Sequence, residues 1–176
     1  TGYSNSSALG YFSQPTWSNQ VRLGNTSVTS IGGYANWTNL SDGRFKENVQ
    51  NDVPGIDFIM LLEPVTYNLN IEKIDDFLNV PDTATKYNIE AKSQIKFSGF
   101  IAQDVEMAAK SIGYDFSGVD APQNDKSHYG LRYAEFVVPL VKATQEQQEI
   151  IESQEQRIEN LDQTVRSQQE EIDYLK

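Results

Sequence analysis

The chain has no cysteine and a single histidine, His128, in 176 residues. These scarcities exclude a disulfide framework, a cysteine protease and a histidine-rich metal site. Any chemistry falls to hydroxyls, amines and carboxylates, with no cofactor called for. Positive charge is also scarce: 14 Lys and Arg against 25 Asp and Glu leave a net charge of −11. So acidic a surface repels phosphate backbones and anionic lipid, so neither nucleic acid nor a membrane surface is an expected partner. Long apolar runs are missing too. Ile56 to Leu62, interrupted by Asp57, is far short of a membrane span. The chain begins abruptly inside a pattern and reads as a fragment of something longer.

Charge is nearly absent from residues 1–40, where Arg22 is the only charged side chain among Gly, Ser, Asn, Thr and aromatics. Strand-like runs at Gln20–Leu23 and Ser27–Ile31 are separated by the turn pairs Gly24-Asn25 and Gly32-Gly33. An echo joins Ala8-Leu9-Gly10-Tyr11 to Ser30-Ile31-Gly32-Gly33-Tyr34. Two weak copies suggest the end of a β-rich repeat array whose units bury their apolar faces by stacking. The sequons at Asn25 and Asn36 are read as chance matches in an Asn- and Ser-rich stretch.

Residues 41–142 carry the material for a conventional core. Val53 to Leu62 places apolar residues at helical spacing before Glu63-Pro64 stops it, and Val65 to Asn70 alternates as a half-buried strand does. Residues 71–80 suit a short helix, Lys96 to Ile101 a second strand, and Ala102 to Ile112 a helix stopped by Gly113. Gly118 to Gly130 reads as a polar loop, and the stretch 82–95 as a projecting arm. Strands and helices mixed in a small domain indicate an α+β fold.

After Pro139 neither Gly nor Pro interrupts the chain, which predicts one long C-terminal helix, with residues 143–176 as its coiled-coil part. Val137, Thr144, Ile151, Ile158, Val165 and Ile172 fall at heptad position a. Leu140, Gln147, Gln154, Leu161, Gln168 and Leu175 fall at d. Strict seven-residue spacing is the mark of a left-handed coiled coil. A g residue lies near the e residue five positions on in a parallel neighbour. Arg157 would therefore meet Asp162 of the next chain, and Glu171 its Lys176, which favours a parallel, in-register homo-oligomer. β-Branched residues at a with Leu at d lean to dimers, whereas three glutamines at d weaken that rule.

Across the turn pair Asp42-Gly43, the sequence sets Ser41 five residues before Lys46. Ser41 Oγ could attack the carbonyl of Leu40, the bond just before it, if a neutral Lys46 amine takes its proton. The alternative is a solvated turn in which Ser41 bonds to nearby backbone. The attack needs two things that the bare pair lacks. Lys46 must be desolvated or crowded by cations, and the oxyanion on Leu40 needs donors, either backbone N–H groups or Arg44.

The order of Ser41-Asp42-Gly43-Arg44-Phe45-Lys46, Pro64-Val65-Thr66-Tyr67-Asn68-Leu69-Asn70, Gly99-Phe100-Ile101-Ala102-Gln103-Asp104-Val105 and Leu131 to Gln148 before the heptads is distinctive. Residues 40–176 resemble the intramolecular chaperone auto-processing domain, the peptidase S74 family, of phage tail spikes, endosialidases and bacterial surface fibres. Residues 1–40 look like the head or stalk repeats of trimeric surface adhesins. The resemblance implies a homotrimeric domain (41–142, with coiled coil 143–176) that helps the upstream fibre of its own chain to fold, then cuts itself off between Leu40 and Ser41. It implies Ser41 as nucleophile and Lys46 as base, in a protein of the bacterial surface or a phage tail. The alternatives are a trimerisation cap that does not cut and a Ser/Lys hydrolase acting on other chains. Asp42 is expected to shape the turn or orient Lys46, and Arg44 to serve the oxyanion or a salt bridge. Glu47 is expected as a turn-side charge, and His128 as a loop side chain. Gln103 and Asp104 are assigned to a helix start, and Tyr133 and Phe136 to the base of the long helix.

Overall fold

A computed structural model describes residues 2–81 and 89–176. The fold is mixed helix and strand with a long C-terminal helix, in keeping with the α+β class and the helix expected from the sequence. Contacts divide it into two compact units. One comprises Thr1–Val49, Glu63–Met107 and Val119–Leu131, and the other Gln50–Leu62, Ala108–Gly118 and Arg132–Lys176.

In the first unit, β1 (Ser7–Leu9) and β2 (Val21–Leu23) pair in parallel with Ser7 opposite Val21 and Leu9 opposite Leu23. The same offset continues on both sides of the strands. Asn5 Nδ2 donates to Asn19 Oδ1 at 2.8 Å, and both asparagines take left-handed backbone, at φ 49° and 61°. A Cβ on Gly10, at φ 113°, would meet the Gly24 Cα at 3.2 Å. Ser4-Asn5-Ser6-Ser7-Ala8-Leu9-Gly10 thus lies along Ser18-Asn19-Gln20-Val21-Arg22-Leu23-Gly24. The echo read between residues 8–11 and 30–34 has no strand pairing among the described residues. Residue identity in a short string is a poor guide where register is set by stacked turn residues.

The strand expected at Ser27–Ile31 is also absent, because the chain turns there: Val28 N donates to Asn25 O at 3.1 Å. Further along, β3 (Val65–Tyr67) and β4 (Phe97–Gly99) form an antiparallel pair, with Tyr67 stacked on Phe97 at 5.8 Å. Helix α2 (Ile71–Leu78) is capped by the Asn70 side chain, which accepts from Lys73 N at 2.9 Å, and ends at the left-handed Asn79. Residues 82–88 of the expected arm lie outside the described residues, and Ile89–Ser93 forms helix α3. Helix α4 (Ala102–Ser111) buries Val105 and Ala109 and stops before Gly113, at φ 71°. The expected loop at Gly118–Gly130 contains an antiparallel pair, β5 (Val119–Asp120) with β6 (Gly130–Leu131).

The core of the second unit is aromatic. Phe58, fully buried, lies 5.2 Å from Tyr114 and 4.9 Å from Phe116, and Phe116 in turn meets Phe136 edge-on at 4.8 Å. Tyr133 stacks on Phe136, so these two residues anchor the base of the long helix α5 (Val137–Tyr174). Burial, then the Glu135 and Asp52 carboxylates, pushes the Tyr114 phenol up from its ordinary pKa. The helix predicted over Val53–Leu62 shrinks to α1 (Ile56–Ile59), because Pro54 and Gly55 precede it. Glu146 on α5 accepts from Ile56 N at 2.7 Å, and a Cβ on Gly55 would come within 2.7 Å of Ala143 N. Pro139 is tolerated in the first turn of α5, where no backbone donor is needed.

Candidate functional site: the Ser41–Lys46 turn

Three residues of 3-10 helix, Gly43–Phe45, follow Asp42, whose side chain caps them by accepting from Arg44 N at 2.9 Å. Phe45 N and Lys46 N donate back to Asp42 O and Gly43 O at 3.1 and 3.2 Å. This tight turn brings residue 46 back over residue 41. Lys46 Nζ lies 2.9 Å from Ser41 Oγ, within reach for proton transfer in either direction. Both side chains are exposed.

The Arg44 guanidinium forks onto Asp42, with Nη2 2.6 Å from Oδ2 and Nε 3.0 Å from the same oxygen. That side-chain bond, with the backbone bond from Arg44 N, holds the Asp42 carboxyl below its usual pKa, and Asp42 raises that of Arg44. In the single chain, then, Arg44 is engaged by Asp42, and Asp42 shapes the turn. Leu40, Phe45 and Val49, close to the pair in sequence, leave most of their apolar surface open.

The other candidates lie elsewhere. Glu47 is exposed. His128 Nδ1 sits 3.0 Å from the Tyr129 carbonyl and lines a cleft with Tyr3, Phe12 and Phe77. Gln103 and Asp104 occupy the first turn of α4. Among the described residues no group of three or more His, Asp or Glu could hold a metal ion, and no helix is long and apolar enough to cross a membrane.

A second exposed feature runs along α5. Its buried residues, Pro139 and Ala143, with Glu146 on the same side, lie at heptad positions c and g. The a and d side chains lie roughly 110° around the helix, at ~100° per residue. Ile158 and Leu161 each remain 62 % exposed, and Val165 61 %. One helix thus carries two stripes: the first is used within the second unit and the second is uncovered.

A family model described as chaperone of endosialidase, peptidase S74, matches residues 41–114. This segment is thus similar to the peptidase S74 family. The S74 segment opens on Ser41 itself, covers under half of the chain and contains both Ser41 and Lys46. The matching model describes a chaperone of the endosialidase kind. No curated protein and no solved structure matches the chain.

One cluster, which joins the S74 segment to residues upstream of it, was not anticipated. Asp75, buried on α2, accepts from Thr26 Oγ1 at 2.5 Å, and Lys92 on α3 donates to the Thr26 and Val28 carbonyls, the latter at 2.6 Å. Its signal in the sequence is Asp75 itself, a carboxylate at an apolar-face position between Ile71 and Leu78.

Proposed function

We propose that this chain ends in an intramolecular chaperone that aligns three copies of an upstream fibre or adhesin and then releases itself by cutting between Leu40 and Ser41. The observation that carries this reading is Lys46 Nζ at 2.9 Å from Ser41 Oγ, in a segment similar to the peptidase S74 family. The partners would be two further copies of the chain, joined through the open a/d stripe of α5 as a parallel coiled coil, at the bacterial surface or in a phage tail.

The proposed chemistry follows from the tether. Ser41 Oγ attacks the Leu40 carbonyl carbon through a five-membered ring while neutral Lys46 takes the hydroxyl proton. Collapse breaks the C–N bond, the Ser41 nitrogen receives that proton, and an ester links Leu40 to Oγ. Water then hydrolyses the ester, leaving a Leu40 carboxylate and a free Ser41 amine and hydroxyl. Because attacker and carbonyl sit on adjacent residues joined by the bond to be cut, most of the entropy of encounter is already absent; effective molarities of well-oriented intramolecular reactions reach ~10⁵ M or more.

Assembly supplies the control. With Ser41 and Lys46 open to water and Leu40, Phe45 and Val49 exposed close by in sequence, a neighbouring chain would cover the pair, desolvate the amine and add oxyanion donors. Intact mass spectrometry of fresh protein beside Ser41→Ala tests this. A fragment beginning at Ser41, absent from the variant, is expected. An assembled oligomer that yields none would leave the cap that does not cut.

A further inference from the structure

The residues on either side of Leu40–Ser41 do not belong to separate bodies. Thr1–Val49 packs into one compact unit with Glu63–Met107 and Val119–Leu131. The contacts that join them are specific. Thr26 Oγ1 donates to the buried Asp75 carboxylate at 2.5 Å, Lys92 Nζ donates to the Thr26 and Val28 carbonyls, and Asn124 Nδ2 donates to Thr16 O at 3.0 Å. Burial pushes the Lys92 ammonium below the usual lysine range, with Asp75 opposing that shift. Thr16 and Gln20 are buried in the upstream segment, where Thr16 N donates to Gln20 Oε1 at 2.8 Å. Phe12 and Pro15 share a cleft with Ile74, Phe77 and Leu78.

Residues 28–41, in contrast, are all exposed, so the proposed scissile bond sits in a tether well downstream of these contacts. Cutting a tether removes covalent continuity and touches none of the hydrogen bonds upstream of it. The clasp is also incompletely satisfied: Asp75 Oδ2 and Ser27 Oγ are buried without a hydrogen-bond partner. Unpaired buried polar atoms weaken the closed state relative to one in which water reaches them.

We propose that the segment upstream of Leu40 stays docked on the chaperone after the bond is cut, gripped at Thr26 and Val28 by Asp75 and Lys92, so that release is a separate step that requires this clasp to open. The clasp thus acts as a retention surface whose partner is the chain's own upstream segment. This rests on the proposed function for its biological meaning, but the docking itself can be tested without self-cleavage.

A site-specific protease sequence placed in the exposed stretch 32–36 of the full chain, with Ser41→Ala, gives a cut that does not depend on Lys46. Native size-exclusion chromatography followed by a denaturing gel then reads whether the two fragments travel together. Co-elution is expected for the parent, with the small fragment lost at least about tenfold faster from Thr26→Val and from Lys92→Met, as befits hydrogen bonds to charged groups. Thr26→Val alters only the small fragment, so it reports even if Lys92→Met disturbs α3; circular dichroism before cutting checks the fold. Immediate separation of the parent fragments, or equal release from parent and both variants, overturns the clasp. Co-elution together with an uncut Leu40–Ser41 bond in the native sequence would sink the self-cleavage reading while the clasp stands.

Discussion

Replacing Ile158 and Leu161 together by aspartate tests whether the open stripe of α5 is what joins the chains. Both side chains are 62 % exposed in the single chain, so that fraction of their surface remains to be buried on assembly. Complete burial of an Ile or Leu is worth about 1.5–3 kcal/mol, which leaves roughly 1–2 kcal/mol for each. Two positions in three chains then make about 6–12 kcal/mol of association energy, an upper estimate because free chains already hide some apolar surface. The aspartates add the cost of bringing like charges together. At about 1.4 kcal/mol per tenfold, the formation constant of the proposed trimer should fall by about four orders of magnitude at the lower end of that range. The isolated chain should be affected little, since helix propensity alone accounts for about 0.5 kcal/mol per substitution. Sedimentation velocity over a hundredfold range of concentration reads the oligomer, and intact mass in the same samples reads cutting at Leu40–Ser41. Gln156→Asp, at the outer f position, is the charge control and should assemble as the parent does. A double variant that sediments as the parent at every concentration refutes the stripe as the assembly surface. A demonstrated monomer that cuts at the parent's rate refutes the coupling of cutting to assembly.

Lys46→Arg should abolish the fragment beginning at Ser41 without changing the oligomer's mass, because a guanidinium cannot give up its proton near neutrality; cutting at the parent's rate would remove Lys46 as the base. Phe58→Ala should cost about 3–5 kcal/mol in urea unfolding, as the fully buried ring bridges Tyr114 and Phe116. A loss under 1 kcal/mol would mean that the aromatic cluster repacks. The Asp42 carboxyl should titrate below its ordinary value of 3.8 by NMR, and move up toward it in Arg44→Gln. The sign follows: with the folded pKa depressed, the stabilisation is present above the unfolded pKa and lost as pH falls through the folded one. An Asp42 midpoint unchanged by Arg44→Gln would contradict the ion pair.

Local features of the fold were legible in the sequence. The Asp42-Gly43 turn between Ser41 and Lys46, the short helix within residues 71–80, the helix before Gly113 and the long uninterrupted α5 all depend on residues near one another in the chain. Contacts distant in sequence were not legible. Nothing near Thr26 announces Asp75 or Lys92, and nothing near Ile56 announces Glu146, because these partners meet only after the chain has folded back. The offset that stacks Asn5 on Asn19 was present in the residues but obscured by a better-looking echo of apolar and glycine positions. The shortened α1 follows from Pro54-Gly55, whose effect outweighed the helical spacing that follows it.

Every residue from Gln147 to Lys176 is exposed, although all but the last two belong to one helix. Most helical stability in proteins comes from packing of an apolar face, and this half of α5 has none within its own chain; the proposed coiled coil would supply it. Its ellipticity should therefore obey mass action, fading on dilution before the aromatic cluster around Phe58 loosens. The tail of the chain would in this way gauge how many copies of itself are within reach.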